Sequence, residues 1–147
     1  MRLPRLSLAL EPGLAEAPAI APAARKRSIL VVDDNADSAA SIAMFLRLLG
    51  HEVETDGSGA GALRRVEEGT APEVIILDIG LPGLDGYEVA RALRAMPKGK
   101  GLRLYAMTGY GQPEDRQRSL AAGFDVHLVK PIVPAELARL IDSIPAG

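Results

Sequence analysis

The sequence contains no cysteine and no tryptophan. Without cysteine there can be neither a disulfide scaffold nor a thiolate metal site. Aromatic residues make up 3% of the chain, three tyrosines and two phenylalanines, so a core has to be built from aliphatic side chains. An excess of positive charge is also lacking, with 17 Lys and Arg against 19 Asp and Glu. At a net charge of -2 the chain lacks the basic footprint of a nucleic-acid binder, and no direct nucleic-acid contact is expected. No uninterrupted apolar run approaches the roughly 18 residues of a membrane span. A cytoplasmic location without membrane contact by this segment is therefore expected.

What is present suits one folded domain: 147 residues, 48% hydrophobic and 24% charged. Residues 1 to 27 differ from the rest, because Pro4, Pro12, Pro18 and Pro22 interrupt an Ala-rich stretch without helical or strand period. They are expected to form a flexible linker or tail. Arg2 and Arg5 ahead of Leu6 to Leu10 faintly suggest a secretory signal, but Glu11 and Pro12 end that apolar stretch far too early.

From Ser28 onward short apolar runs alternate with amphipathic stretches, the pattern of repeated βα units around a parallel sheet. Ile29 to Val32, Val74 to Leu77, Leu102 to Met107 and Val126 to Val129 read as strands covered on both faces, and the more polar His51 to Thr55 as an edge strand. Ile42, Phe45, Leu46 and Leu49 form one helical stripe that Gly50 stops. Ser58 opens a weaker second helix through Leu63 and Val66, and Asp85 with Glu88 makes a capping-box pattern before Val89 and Leu93. Pro113 and Pro134 start the last two helices. Met44, Met96 and Met107 read as core fillers, and Arg64 and Arg65 as solvated surface. Gly57 to Gly61 has the wrong spacing and place for a dinucleotide loop and reads as a turn into a helix.

In open α/β sheets, ligands bind outside the carboxyl ends of the strands. Those ends carry Asp33 and Asp34, Asp78, Thr108 and Lys130. Three carboxylates brought together repel one another unless a cation joins them. The donors are hard oxygens with no Cys or His among them, which favours Mg2+ or Mn2+ over zinc, and such an ion leaves positions open for a phosphate oxygen. An Asp carboxylate can attack phosphorus, Lys130 would supply a compact positive charge and Thr108 a hydroxyl donor.

V-V-D-D-N (31 to 35), L-D-I-G-L-P-G-L-D-G (77 to 86), M-T-G-Y (107 to 110) and V-K-P (129 to 131) resemble the motifs of response-regulator receiver domains. The spacings agree, with 45 residues from Asp33 to Asp78, 30 more to Thr108 and 22 more to Lys130. The resemblance, which covers residues 28 to 144, implies a (βα)5 flavodoxin-like fold with a doubly wound parallel sheet in the order 2-1-3-4-5, and a receiver domain over 28 to 147. It makes Asp78 the phosphoacceptor, with Asp33, Asp34, Asp78 and the Gly80 backbone carbonyl as ligands of Mg2+ (or Mn2+). Thr108 and Lys130 would contact the phosphoryl group, and the peptide before Pro131 is a cis candidate. One position departs from the family: His127 stands where Tyr or Phe usually takes part in switching, either as a pH-responsive switch or as an ordinary half-buried strand residue.

The implied partners are a histidine kinase domain, a histidine phosphotransfer protein, or both. T-G-Y-G-Q-P-E-D-R (108 to 116) and G-F-D-V-H-L-V-K-P (123 to 131) resemble receivers of hybrid sensor histidine kinases, and Met1-Arg2-Leu3-Pro4 resembles the end of a kinase ATP-binding domain. A stand-alone single-domain regulator and a docking-only receiver are the alternatives. Any DNA-binding output is expected on a separate polypeptide. The enzymatic rival, an aspartyl-phosphate phosphatase or mutase, needs D-x-D after the first strand, where this chain has Asp33-Asp34-Asn35. As an isolated domain it is therefore not expected to be an enzyme beyond its own phosphorylation and dephosphorylation at Asp78.

Overall fold

Runs of Ile, Val and Leu with no polar interruption bury both faces of a strand, and here they build the centre of a parallel sheet. The computed structural model describes residues 23 to 69, 71 to 80, 85 to 109 and 113 to 144. Its elements in chain order are β1 (Ser28–Val32), α1 (Ala36–Leu48), β2 (Glu52–Asp56), α2 (Gly59–Glu68), β3 (Val74–Asp78), α3 (Gly86–Ala95), a 3-10 turn (Pro97–Gly99), β4 (Arg103–Thr108), α4 (Pro113–Ala122), β5 (Val126–Val129) and α5 (Pro134–Asp142). All strand pairs are parallel, in the order β2-β1-β3-β4-β5. The direction of winding therefore reverses between β1 and β3, and the crevice that this reversal opens lies at their carboxyl ends.

Alternate strand residues divide the core into two layers. Ile29, Val31, Val74, Ile76, Tyr105 and Met107 pack under α1 and α5. Leu30, Val32, Ile75, Leu77, Leu104 and Ala106 pack under α2, α3 and α4. β2 lies at the sheet edge, and its Glu52, Glu54 and Thr55 are exposed.

The caps lie where the sequence marks them. Asn35 caps α1 by accepting from the Ser38 amide at 3.0 Å. Ser58 caps α2 from Gly61, and Asp85 with Glu88 completes a capping box at α3. Gly50 and Gly123 take left-handed φ values of 104° and 112° just past α1 and α4.

Two expectations are corrected. Met44 is 62% exposed and fills no core. The buried side of α1 is Ala39, Ala43 and Leu46, with Ile42 and Phe45 flanking it, because small alanines let the helix sit close to the sheet and turn Met44 outward. Arg65 is not simply solvated, since it pairs with Glu54 and with Asp56 across the β2 edge.

Of the linker expected over residues 1 to 27, residues 1 to 22 lie outside the described residues. Ala23 to Arg27 run along the end of the domain opposite the strand carboxyl ends. There the Ala23 amide donates to Leu49 O at 2.9 Å and the Arg27 guanidinium to Ile144 O at 2.7 Å.

Candidate functional site

Each polar residue at the rim ends an apolar strand or follows it by one or two positions, so the sheet itself fixes where it sits. Beyond β1, the Asp33 amide donates to Asp56 O at 3.1 Å, and the Asp33 side chain turns back to accept from the Asn35 amide at 2.9 Å. Asp33 is buried while its neighbour Asp34 is exposed. Asp78 ends β3 and is 8% exposed, and its Oδ1 accepts from the Gly80 amide at 2.8 Å. Thr108 ends β4, buried, and its carbonyl accepts from the Lys130 amide at 2.7 Å. That bond carries the ladder past β5 and brings the lysine to the rim.

One carboxylate oxygen from each of Asp33, Asp34 and Asp78 lies within 4.8 Å of the others. Lys130 Nζ donates to Asp78 Oδ2 at 3.0 Å and stands 3.5 Å from Asp33 Oδ2. Burial pulls the Lys130 ammonium toward neutrality, but the hydrogen bond and charge of Asp78, with Asp33 behind them, outweigh it and hold the lysine above its ordinary range. A single ammonium among three carboxylates leaves the cluster net negative. Converging hard oxygens with surplus negative charge fit a divalent cation of the Mg2+ or Mn2+ type.

The remaining expected residues are placed as follows. The Lys130–Pro131 peptide is cis. Gly80 is exposed, two residues beyond Asp78. His127 lies on β5 in register with Ala106, half-buried, with Nδ1 2.9 Å from the Ser119 hydroxyl of α4. Its Nε2 is buried and meets no partner among the described residues. His127 is thus tied to α4, whereas Asp33, Asp78 and Lys130 are tied to one another.

Two residues of the rim went unread in the sequence. Asp78, Gly80 and Thr108 share a cleft of about 300 Å3 with Tyr87 of α3 and Arg118 of α4. The Arg118 guanidinium lies 4.4 Å above the Tyr87 ring centroid, a cation–π contact. No local pattern pairs residues 31 positions apart on two helices, and an exposed arginine in a polar helix gives no sign of its target.

Residues 29–142 match the family model described as the response regulator receiver domain. The transcriptional regulatory protein PrrA of Mycobacterium leprae is 44% identical over 116 residues, which cover 79% of this chain and 48% of PrrA. The chain thus spans about half the length of that curated relative. Among solved structures, the receiver domain of a sensor histidine kinase from Pseudomonas aeruginosa, with a magnesium ion coordinated in its active-site cleft, is 35% identical at a TM-score of 0.72, covering 80% of this chain and 95% of that one. The chemotaxis protein CheY4 of Vibrio cholerae is 29% identical at a TM-score of 0.76, covering 82% of this chain and 100% of that one.

Proposed function

Because the chain belongs to the response-regulator receiver family, we propose that it accepts a phosphoryl group on Asp78 in a two-component phosphorelay and changes a protein-interaction face in response. The observation that carries this reading is the Asp78 carboxylate itself. It is nearly buried, with Oδ1 fixed by the Gly80 amide and Oδ2 by Lys130, beside Asp33 and Asp34.

Phosphoryl transfer needs positioning and neutralisation of oxygen charge more than covalent help. An Asp78 oxygen attacks phosphorus while the bond to the donor breaks, and the donor atom leaves with the electron pair. Lys130 balances charge on one side of the phosphoryl group, and the Thr108 hydroxyl would donate to a phosphoryl oxygen. Asp33, Asp34, Asp78 and the Gly80 carbonyl would hold Mg2+ or Mn2+, which when bound neutralises phosphoryl oxygen charge. The donor is a phosphohistidine on a kinase domain or a histidine phosphotransfer protein, or a small phosphodonor. Phosphorylation replaces the single negative charge of the Asp78 carboxylate with a bulkier phosphoryl group that carries about -1.5 to -2, and this change biases a two-state rearrangement through Thr108 toward the α4, β5 and α5 face.

We place the receiver unit at residues 28 to 147, with 1 to 27 as its linker, in the cytoplasm, where kinases form phosphohistidine. No described helix is long and apolar enough to cross a membrane. The relatives carry this domain both in a sensor histidine kinase and in a transcriptional regulator. The likeness gives a hybrid-kinase parent no advantage over a transcriptional one.

Beryllofluoride, which mimics a phosphoryl group on a carboxylate, tests the reading. With Mg2+ it should raise the melting temperature of wild type and leave Asp78→Asn unchanged. A wild type that shows no shift contradicts the proposal.

A further inference from the structure

We propose that Arg118 binds the departing carboxylate of small acyl phosphates, and so sets which low-molecular-weight donors phosphorylate Asp78. This rests on the reading of Asp78 as the phosphoacceptor and concerns a residue outside the strand-end set.

Arg118 differs from the other well-placed arginines of the domain. Arg27, Arg47, Arg65 and Arg94 each donate hydrogen bonds to named carbonyls or carboxylates. Arg118 has no such acceptor among the described residues. Its guanidinium rests on the face of Tyr87, which is 6% exposed and therefore fixed in place. Stacking on a ring holds a guanidinium without using its N–H groups, so its fork of donors stays available to a carboxylate. Arg118 is exposed and lines the same cleft as Asp78, Gly80 and Thr108.

The geometry of displacement says which part of a donor Arg118 would meet. Attacking and leaving oxygens lie roughly in line through phosphorus. Asp78 attacks from the end of the sheet, so the leaving group points outward into the cleft that Arg118 lines. With acetyl phosphate, an Asp78 oxygen forms the new P–O bond, the P–O bond to acetate breaks, and acetate keeps the electron pair and its negative charge. Arg118 would stabilise that charge as it develops. With phosphoramidate the P–N bond breaks and neutral ammonia departs, leaving no anion for Arg118 to meet.

The test compares the two donors on the full chain, with Mg2+ present, by the rate of phosphoryl mass gain as donor concentration is varied. Arg118→Ala should lower the acetyl phosphate rate constant roughly tenfold, with a higher half-saturating concentration, and change the phosphoramidate rate less than about twofold. Arg118→Lys, which keeps the charge without the fork, should fall between. Phosphoramidate also reports that each variant is folded. Equal losses with both donors, or no loss with either, would overturn the role of Arg118 and leave Asp78 phosphorylation standing. A wild type phosphorylated by neither donor would overturn both.

Discussion

The Lys130 ammonium lies 3.0 Å from Asp78 Oδ2 and 3.5 Å from Asp33 Oδ2, so one cation serves two nearly buried carboxylates. Removing it should leave those charges facing each other. Lys130→Ala is expected to destabilise the metal-free domain by about 1 to 2 kcal/mol, less than a fully buried pair would, because the lysine side chain is 33% exposed. Adding Mg2+ should recover part of that loss, giving a larger gain than in wild type. Urea titrations with and without Mg2+ measure both.

Magnesium should also stabilise wild type, by about 1.4 kcal/mol at ten times its Kd. Asp34 separates binding from folding, since it is exposed and contributes its carboxylate to the cluster. Asp34→Asn should leave metal-free stability within about 0.5 kcal/mol while weakening Mg2+ binding roughly tenfold. Thermal melts across a magnesium series would show it.

His51 predicts an acid-side loss of stability remote from the rim. Its Nδ1 accepts from the buried Arg27 amide at 3.0 Å, and its Nε2 is buried without a partner among the described residues. Burial lowers its pKa below 6.5, with nearby Arg27 adding to the effect and Asp142 and Glu73 opposing it. The unfolded chain therefore takes up a proton first as pH falls. The contribution of His51 is complete above about pH 6.5 and shrinks as pH drops below it toward the folded value. Asp56 acts in a different window: burial raises its carboxyl, Arg65 and Ser58 outweigh that, and its stabilisation is lost only below about 3.8. His51→Leu should flatten the slope between pH 5 and 7. At pH 7.5 it should cost about 1 to 2 kcal/mol, because the Arg27 amide loses its acceptor. Denaturation curves at several pH values test both statements.

Gly123 closes α4 at a φ of 112°, and a Cβ there would come within 2.8 Å of Arg94 Cγ. Arg94 donates to Gly123 O at 2.9 Å, to Leu102 O at 2.6 Å and to Asp125 at 2.9 Å, tying α3 to the segments before β4 and β5. Gly123→Ala should cost about 1 to 3 kcal/mol by combining left-handed strain with displacement of that clamp. Equilibrium unfolding would register it without any change in the strand-end residues.

The strand ends were legible because each polar residue directly follows an apolar run, and the sheet order came with the family motifs those ends form. The helix caps were legible for a similar reason, since Asn35, Ser58 and Asp85 act on amides two or three residues away. Long side chains were not. Arg94 reaches 29 residues along the chain to Gly123, Arg27 reaches 117 to Ile144, and Arg118 finds Tyr87 on another helix. Their partners are set by packing, which no local period encodes. The stripe Ile42, Phe45, Leu46 and Leu49 on α1 does face the core, whereas the reading of Met44 as a core filler fails because it rested on residue type and not on its place in that period.

Intact mass after incubation with acetyl phosphate and Mg2+, with Asp78→Asn and a chelated sample alongside, shows whether Asp78 is the phosphoacceptor. A gain of one phosphoryl mass in wild type, absent from both controls, is the predicted result. A gain that persists in Asp78→Asn, or no gain in wild type, would contradict the assignment of Asp78 as the phosphoacceptor.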